Sequence, residues 1–257
     1  MNMKINDTVL NKIQFTKRNE KENISVVGPV RLPIKQGDFE VTFQWYSWQE
    51  VAAGLSKEQM IEQLPQMNLA FGQQSSVLVY GDFKNADDAI VRMHSICHTG
   101  DIFGSQRCDC GYQLHESMKM IVEHGCGAIF YLANHEGRGI GLFSKSIAYL
   151  LQEDGMDTVE ANHALGFEDD TRSYEDAIKV LEVLRKKPIT LITNNPNKLK
   201  AMEAHGLSVD KHIPLWGGVT ETNQFYLETK VKKAGHILTE KGGVDSEERS
   251  VLHEPRA

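Results

Sequence analysis

The sequence has no long apolar run, little cysteine and no excess of basic residues. No stretch approaches the length of a membrane span, and residues 1–23 contain no apolar run long enough for a signal-peptide core. A net charge of −7 argues against a broad nucleic-acid-binding face. Four cysteines in 257 residues, without an export signal, indicate a reducing cytosol where thiols are free for metal. We therefore expect a cytoplasmic protein whose partners include neither membranes nor nucleic acids.

The composition and patterning that are present are those of an ordinary globular protein. Hydrophobic residues make up 40% of the chain and charged residues 25%, and a chain of 257 residues can bury a substantial core. Strand-like segments dominate up to residue 95, and helical segments alternate with apolar strands after residue 110. This order predicts the mixed α/β (α+β) fold class, with mixed sheets flanked by helices and a β-rich N-terminal half.

The chain divides into three parts by pattern. Residues 1–24 are polar without a sustained period, which predicts a mobile or loosely docked N-terminal extension. Residues 25–238 carry the strand and helix patterns, so we expect them to form one domain, with a last helix near residues 222–237. Residues 239–257 are charged and show no packing pattern, so we expect a flexible tail.

Three of the four cysteines lie close together, at Cys97, Cys108 and Cys110, with the spacing C-x10-C-x-C. Cys108 and Cys110 can point at one ion from a tight turn, and Cys97 follows the end of a predicted strand. Three thiolates leave the fourth tetrahedral position open, which is typical of a catalytic zinc site. Such a metal lowers the pKa of a bound water towards neutrality.

Other interpretations of these cysteines stay open from spacing alone. Isolated cysteines usually behave as small hydrophobes without a metal, and this is our interpretation of Cys126. A closed zinc finger is disfavoured because no second ligand pair follows at finger spacing. His94 and His98 flank Cys97 and could supply a fourth ligand, although such histidines more often form local hydrogen bonds.

Charged and polar residues recur where predicted strands end or helices begin. They are Arg92, Glu136, Arg138, Asp170, Arg172, Thr193 and Lys198. The turn that contains Glu136 is rich in glycine, so its backbone can approach a ligand closely. The free N–H groups of the turn at residues 193–198 could receive a phosphate. Each residue alone is more often a solvated side chain, but together with an open zinc site they predict a phosphorylated, heteroatom-rich substrate.

Several separated motifs give the chain a more specific resemblance. They are RMHSICHTGD with SQRCDCGYQL, HEGRGIGL, DTVEANHALGF followed by DTR, LITNNPNK, and YLETKVKKAGHIL. In these motifs, which span roughly residues 32–238, the chain resembles GTP cyclohydrolase II, the enzyme that begins riboflavin synthesis. The resemblance implies the GTP cyclohydrolase II fold for residues 25–238 and a homodimer.

The resemblance also implies the chemistry. One Zn²⁺ per subunit would be held by Cys97, Cys108 and Cys110, and Mg²⁺ would accompany the triphosphate. GTP would be hydrolysed at C8 of the guanine with release of formate and pyrophosphate. The remaining product would be 2,5-diamino-6-(5-phosphoribosylamino)pyrimidin-4(3H)-one.

Site residues are implied by matching position in the same motifs. The GTP-binding set is Arg92, Met93, His94, Ser95, Ile96, Gln113, Glu136, Gly137, Arg138, Thr158, Thr193 and Lys198. The catalytic set is Tyr149, Asp170 as proton acceptor and Arg172 as nucleophile on the α-phosphate. A guanidinium that stays protonated is a poor nucleophile. Our interpretation is that Arg172 stabilises charge on the transferring phosphoryl group.

Two departures from the family pattern leave alternatives for the reaction. The family usually has Gln where this chain has His135, and Glu where it has Ile96. A related GTP hydrolase that leaves a formamidopyrimidine would release pyrophosphate without formate, whereas the presence of Tyr149 favours the complete reaction. An inactive zinc-containing binding or regulatory protein would be expected to lack zinc ligands or the Asp170–Arg172 pair, and this chain has both.

Overall fold

Eight strands of the described residues join one sheet, antiparallel at one side and parallel at the other. The computed structural model describes residues 6–220, 222–224, 227 and 231. The strands are β1 (Ile13–Lys17), β2 (Glu22–Gln36), β3 (Phe39–Ala52), β4 (Ser76–Tyr80), β5 (Ile90–Ser95), β6 (Gly127–Leu132), β7 (Ile189–Ile192) and β8 (Val209–Ile213). Their order in the sheet is β1-β2-β3-β4-β6-β5-β7-β8.

The direction of pairing changes at β6. Strands β1 to β4 pair antiparallel with one another in sequence order, and β4 pairs antiparallel with β6. Strand β6 then pairs parallel with β5, β5 with β7, and β7 with β8. The expected mixed α/β fold with a β-rich N-terminal half is confirmed.

Helices cover both faces of the parallel part of the sheet. The α-helices of the described residues are α1 (Asp7–Leu10), α2 (Lys57–Gln63), α3 (Cys110–His124), α4 (Leu142–Glu153), α5 (Thr158–Ala164), α6 (Glu175–Leu184) and α7 (Pro196–Ala204). Side chains alternate between the faces of a strand. Ile129 of β6 accordingly packs in a cluster with Ile121 of α3, whereas Phe130 packs in a cluster with Ile178 of α6.

Two short elements in the C-terminal half of the described chain, α5 and β8, were not predicted. The helix α5 reads TVEANHA, which has no apolar stripe, and it is instead begun by a capping box in which Asp157 accepts from backbone N–H groups. The strand β8 reads VDKHI and, among the described strands, pairs with β7 alone at the sheet edge. Both depend on local capping or on a neighbouring strand, which hydrophobic periodicity does not detect.

The N-terminal segment is more closely attached than its polarity predicted. Residues 13–17 pair with β2, and the side chain of Ile13 is buried. The division expected at residue 24 falls inside β2. In IQFTK the apolar and polar residues alternate over only five positions, which is too short a run to distinguish from a polar extension. Arg18 ties this segment to α6 through an Nε–Asp176 Oδ1 contact of 2.8 Å.

The C-terminal predictions fall largely on residues that the structure does not describe. The helix expected near residues 222–237 and the charged tail at residues 239–257 lie outside the continuous described range. Across the part of the chain that is described, no helix combines the length and apolar character needed to cross a bilayer.

A buried arginine holds together the connection between α6 and β7. The Arg185 side chain is 2% exposed, and its guanidinium donates to the backbone carbonyls of Phe83, Ala86, Asp87, Lys187 and Pro188. Arg185→Met would deprive these carbonyls of their donor. We expect it to lower the free energy of unfolding by about 3 kcal/mol, because each unsatisfied buried polar group costs about 1–3 kcal/mol.

Denaturant unfolding followed by circular dichroism would measure this loss. Lys186→Met is the matched control, because the adjacent Lys186 is exposed. An Arg185→Met protein as stable as the Lys186→Met protein would show that the carbonyls find other donors.

Candidate functional site

The candidate site lies at the carboxyl ends of three neighbouring parallel strands. Residues that follow β5, β6 and β7 line one cavity of about 290 Å³. In open sheets with parallel strands, ligands bind in the crevice outside these strand ends. The sheet therefore brings together the cysteine segment, the glycine-rich turn and the TNNPNK turn, which are far apart in sequence.

The three predicted metal ligands meet in this cavity. Cys97 lies two residues beyond β5, Cys110 is the first residue of α3, and a helical turn at His98–Ile102 lies between Cys97 and Cys108. The three Sγ atoms lie within 4.8 Å of one another, and those of Cys97 and Cys108 are 3.5 Å apart. A tetrahedral zinc with Zn–S bonds of about 2.3 Å separates its sulfur ligands by about 3.8 Å. The thiol cluster therefore fits one zinc ion.

Neither flanking histidine joins the thiols. Within the described residues, the group with metal-ligand spacing contains the three cysteines alone. His94 Nε2 lies 3.0 Å from Asp101 Oδ2, and the ring of His98 packs edge-on against Phe103. Asp101 also accepts from the backbone N–H of Cys97 at 2.9 Å and so fixes the first ligand. The local hydrogen bond, rather than ligation, is the interpretation of His94 that the geometry supports.

Gly100 closes the inner side of the thiol cluster. A Cβ atom at this position would lie 3.0 Å from Cys108 Sγ and 3.1 Å from Cys97 Sγ. We expect Gly100→Ala to displace these sulfurs and weaken zinc binding by about 10- to 100-fold, the range for disturbing the surroundings of metal ligands. Competition with a zinc chelator would measure the affinity. Gly72→Ala is the control, because its Cβ would meet nothing closer than 3.7 Å. Unchanged zinc affinity in Gly100→Ala would contradict the expectation.

A buried lysine, which the sequence analysis did not identify, connects the thiols to the glycine-rich turn. Lys145 Nζ lies 3.2 Å from Cys97 Sγ and 2.6 Å from Glu136 Oε1. Burial disfavours its charged form, but the Cys97 thiolate and the Glu136 carboxylate outweigh burial and raise the pKa of Lys145. Lys145 precedes Tyr149 by four residues on α4, and residues four apart lie on the same face of an α-helix. That spacing was the signal available in the sequence.

Glu136 has most of the acceptor sites of its carboxylate occupied. Its carboxylate is 1% exposed and accepts from Lys145, from the His98 backbone N–H at 2.7 Å and from the Gly137 N–H at 3.2 Å. A carboxylate offers about four lone-pair sites. Within the described part of the chain, these three donors therefore leave one site, on Oε2.

The glycine-rich turn is tied to the loop that contains the predicted catalytic pair. Gly137 and Arg138 adopt positive φ angles of 60° and 65°, which is uncommon for the non-glycine residue. The Arg138 carbonyl accepts from the backbone N–H and the hydroxyl of Thr171 at 3.1 and 3.2 Å. These bonds hold the turn against Asp170 and Arg172.

Asp170 and Arg172 form a bidentate ion pair. Arg172 Nε lies 2.7 Å from Asp170 Oδ1, and Nη2 lies 2.5 Å from Oδ2. Burial raises the pKa of Asp170, but the hydrogen bonds and charge of Arg172 outweigh it, and the pKa is lowered overall. The third guanidinium nitrogen, Nη1, donates to Ser95 Oγ at 3.1 Å.

The third strand end contributes a helix N-terminus and a lysine. Asn195 caps α7 by accepting from the Asn197 N–H, and Pro196 occupies its first turn. The Thr193 hydroxyl accepts from the Asn195 N–H at 3.0 Å. Lys198 Nζ donates to the Met93 carbonyl at 2.6 Å. This arrangement of a cation beside helix N–H groups is suited to a phosphate.

The remaining predicted residues lie on two sides of the cavity. Arg92, which is buried, donates to Gln113 Oε1, and Gln113 Nε2 lies 2.5 Å from Asp109 Oδ2. The guanidinium carbon of Arg107 lies over the aromatic ring of Tyr149, 4.3 Å from the ring centroid. Thr158 lines the cavity from the start of α5.

The structure brings together every predicted site residue except the side chain of Met93. That side chain is fully buried in the core, and only the Met93 carbonyl reaches the site, through Lys198. Alternation along β5 turns Arg92 and His94 towards the cavity and Met93 to the opposite face. Besides Lys145, the cavity is lined by other residues that were not predicted, among them Arg107, His135, Gln152, Asn162, Asn194, Asn195 and Asn197.

Comparison with known proteins gives one consistent family. The GTP cyclohydrolase II family model matches residues 30–214. The riboflavin biosynthesis protein RibBA of Endomicrobium trichonymphae is 40% identical over 231 residues, which are 90% of this chain and 51% of the relative. The RibBA proteins of Bacillus velezensis and Phocaeicola vulgatus are 48% and 46% identical over 65% of this chain, and the matches cover 42% and 41% of their lengths. The chain thus spans about half the length, or less, of the curated relatives it matches.

Proposed function

The chain belongs to the GTP cyclohydrolase II family, and we propose on that basis that it hydrolyses GTP at C8 of the guanine, releasing formate and pyrophosphate, in riboflavin synthesis. One observation carries the proposal. A single cavity combines a three-thiol cluster, buried hydrogen-bonding groups for a base and cations for phosphates. A purine triphosphate needs partners for its base and counter-charges for its phosphates, and its hydrolysis needs an activated water. The hydrogen-bonding groups, the cations and a metal on the thiols would supply these.

We propose Zn²⁺ as the metal at Cys97, Cys108 and Cys110. The donor set is typical of zinc, and the cluster has room for one ion because residue 100 is glycine. Zinc at such a site supplies a Lewis acid that lowers the pKa of water. Mg²⁺ would accompany the substrate, because it is usually held by phosphate oxygens with few protein ligands.

Glu136 and Gln113 are suited to hold the guanine. The remaining lone-pair site on Glu136 Oε2 can accept one N–H of the base. Gln113 is oriented by Arg92 on its oxygen and by Asp109 on its nitrogen, so its amide cannot turn freely. Buried groups fixed in this way reject a base that lacks the matching groups, because they would be left unpaired.

Arg172 and Lys198 are suited to the phosphates. Arg172 is held by Asp170 on two of its nitrogens, and a guanidinium in fixed orientation stabilises charge on a transferring phosphoryl group. The lowered pKa of Asp170 makes its carboxylate a weak base near pH 7. The two contacts between Asp170 and the guanidinium support a role for Asp170 in orienting Arg172.

A second candidate reaction stops after ring opening and keeps the formyl group on the product. The observation that favours it is Ile96, which lines the cavity beside Cys97 where the family usually has a carboxylate. Tyr149, whose hydroxyl lies 3.4 Å from Thr99 Oγ1 near the thiols, favours the complete reaction.

GTP labelled with ¹³C at C8 distinguishes the two reactions. The zinc-loaded protein would be incubated with this substrate and Mg²⁺, and the reaction would be followed by NMR. We expect the label to appear in free formate. Label retained in a formamido group would support the second reaction, and label remaining in GTP would contradict both.

We also propose that the chain acts as a homodimer in the cytoplasm. Large apolar side chains are exposed on α4, at Phe143 (80%) and Leu150 (62%), and after the helical turn His98–Ile102, at Phe103 (71%). Exposed apolar groups of this kind mark protein interfaces. Sedimentation equilibrium of the full chain tests the dimer, and a mass equal to one chain would contradict it.

A further inference from the structure

His135 lies in a buried position between two serines of the site. It follows β6 and is 2% exposed. Its Nε2 atom lies 2.8 Å from the Ser173 carbonyl oxygen, and its Nδ1 atom lies 3.2 Å from Ser95 Oγ. None of the roles proposed above uses this residue, although it is within two hydrogen bonds of Arg172.

The direction of each hydrogen bond follows from the Ser173 carbonyl. A carbonyl oxygen only accepts, so Nε2 carries the proton of the neutral ring and Nδ1 is an acceptor. The Ser95 hydroxyl then donates to Nδ1, and its lone pairs point away from the ring. One of them accepts from Arg172 Nη1 at 3.1 Å. The chain of bonds runs from Arg172 through Ser95 and His135 to the Ser173 carbonyl.

This chain of hydrogen bonds completes the support of the Arg172 guanidinium. Asp170 fixes Nε and Nη2, and Ser95 fixes Nη1 from the opposite side. Without a partner at Nδ1, the Ser95 hydroxyl could rotate, and the direction of its lone pair towards Arg172 would no longer be set.

We propose that His135 is a positioning residue that, through Ser95, sets the orientation of the Arg172 guanidinium towards the phosphate of the substrate. The proposal rests on the proposed function for the reaction that Arg172 serves. The hydrogen-bond chain itself can be tested without that reaction.

The surroundings of His135 keep the ring neutral. Burial lowers the pKa of His135 to about 4, and the nearby cations Arg172 and Lys198 act in the same direction, against the Ser173 carbonyl and Asp170. Tyr174 faces the ring edge-on at 4.9 Å between centroids. Protonation would turn Nδ1 into a donor and remove the acceptor of the Ser95 hydroxyl. The orienting effect is thus present at neutral pH and lost as the pH falls through about 4.

Steady-state kinetics of four variants test the positioning role. His135→Leu removes both bonds, and we expect kcat to fall about 10-fold with an unchanged KM for GTP, the cost of one hydrogen bond that acts in the transition state. His135→Gln keeps a donor and an acceptor and should restore kcat to within about twofold of the wild type. Ser95→Ala should lower kcat at least as much as His135→Leu, and the double variant should fall no further than Ser95→Ala alone, because His135 acts through Ser95.

NMR of ¹⁵N-labelled histidine supplies a readout that does not depend on activity. The His135 signals, assigned by their absence in His135→Gln, should show the Nε2–H tautomer down to about pH 5. The Nδ1–H tautomer, a ring that protonates near pH 6.5, or a folded His135→Leu protein with wild-type kcat would overturn the proposal. If the wild type released neither product from GTP, the proposed function would fail, and the tautomer would still decide the hydrogen-bond chain.

Discussion

Replacing Cys97 with serine is expected to abolish bound zinc and to slow formate release from GTP at least about 1,000-fold. A Lewis acid at the reacting water is worth several kcal/mol, and each 1.4 kcal/mol is about a tenfold change in rate. Serine is a poor zinc ligand, and two remaining thiols hold the ion weakly. Zinc content per chain and the initial rate of formate release, measured on the same preparation, check the expectation.

Cys126→Ala is the matched control for this loss. Cys126 is buried in the core beside β6 and is not part of the thiol cluster. We expect this variant to keep its zinc and its rate. A Cys97→Ser protein that retained full zinc and full rate would show that the thiol cluster is not the metal site of the reaction.

Replacing Arg172 with alanine is expected to lower kcat for pyrophosphate release by about 100- to 1,000-fold, the cost of removing one oriented donor to developing charge. The loss has a second contribution, because Asp170 would keep a partly buried carboxylate without its partner. Arg172→Lys should recover only part of the rate. Lysine keeps the charge but cannot pair through two nitrogens with Asp170 while a third contacts Ser95.

The measurement for Arg172 is the rate of pyrophosphate release with GTP consumption followed in parallel. Arg31→Ala is the control, because Arg31 is an exposed residue of β2. Wild-type kcat in Arg172→Ala would contradict any role of this guanidinium in releasing pyrophosphate, whether by charge stabilisation or as a nucleophile.

The ends of the strands were predictable from sequence because apolar runs stop abruptly there. The run AIFYLA before His135 and the run ITLIT before Asn194 each deliver polar residues to one edge of the sheet. Long apolar segments of this kind identify buried strands without knowledge of their neighbours. These strand ends marked the charged turns, whereas the full set of predicted site residues followed from the resemblance to GTP cyclohydrolase II.

The side-chain contacts inside the site were not predictable in the same way. Lys145 contacts Cys97, which lies 48 residues away in sequence, and His135 contacts Ser95, which lies 40 residues away. The order of the strands creates these contacts, and periodicity does not report strand order. The Met93 prediction was made for a contiguous motif, whereas a strand turns alternate side chains to opposite faces. β1 and α5 were missed because five to seven residues carry too little pattern.

The most direct test of the account is a zinc titration of metal-free protein with formate and pyrophosphate quantified together. GTP and Mg²⁺ would be present in excess, and Cys97→Ser would be titrated in parallel. We expect both products to form in equal amounts, at rates that rise with zinc and level off at about one ion per chain, and we expect the variant to stay inactive. Formate release that is independent of zinc, or equally fast in Cys97→Ser, would contradict this expectation.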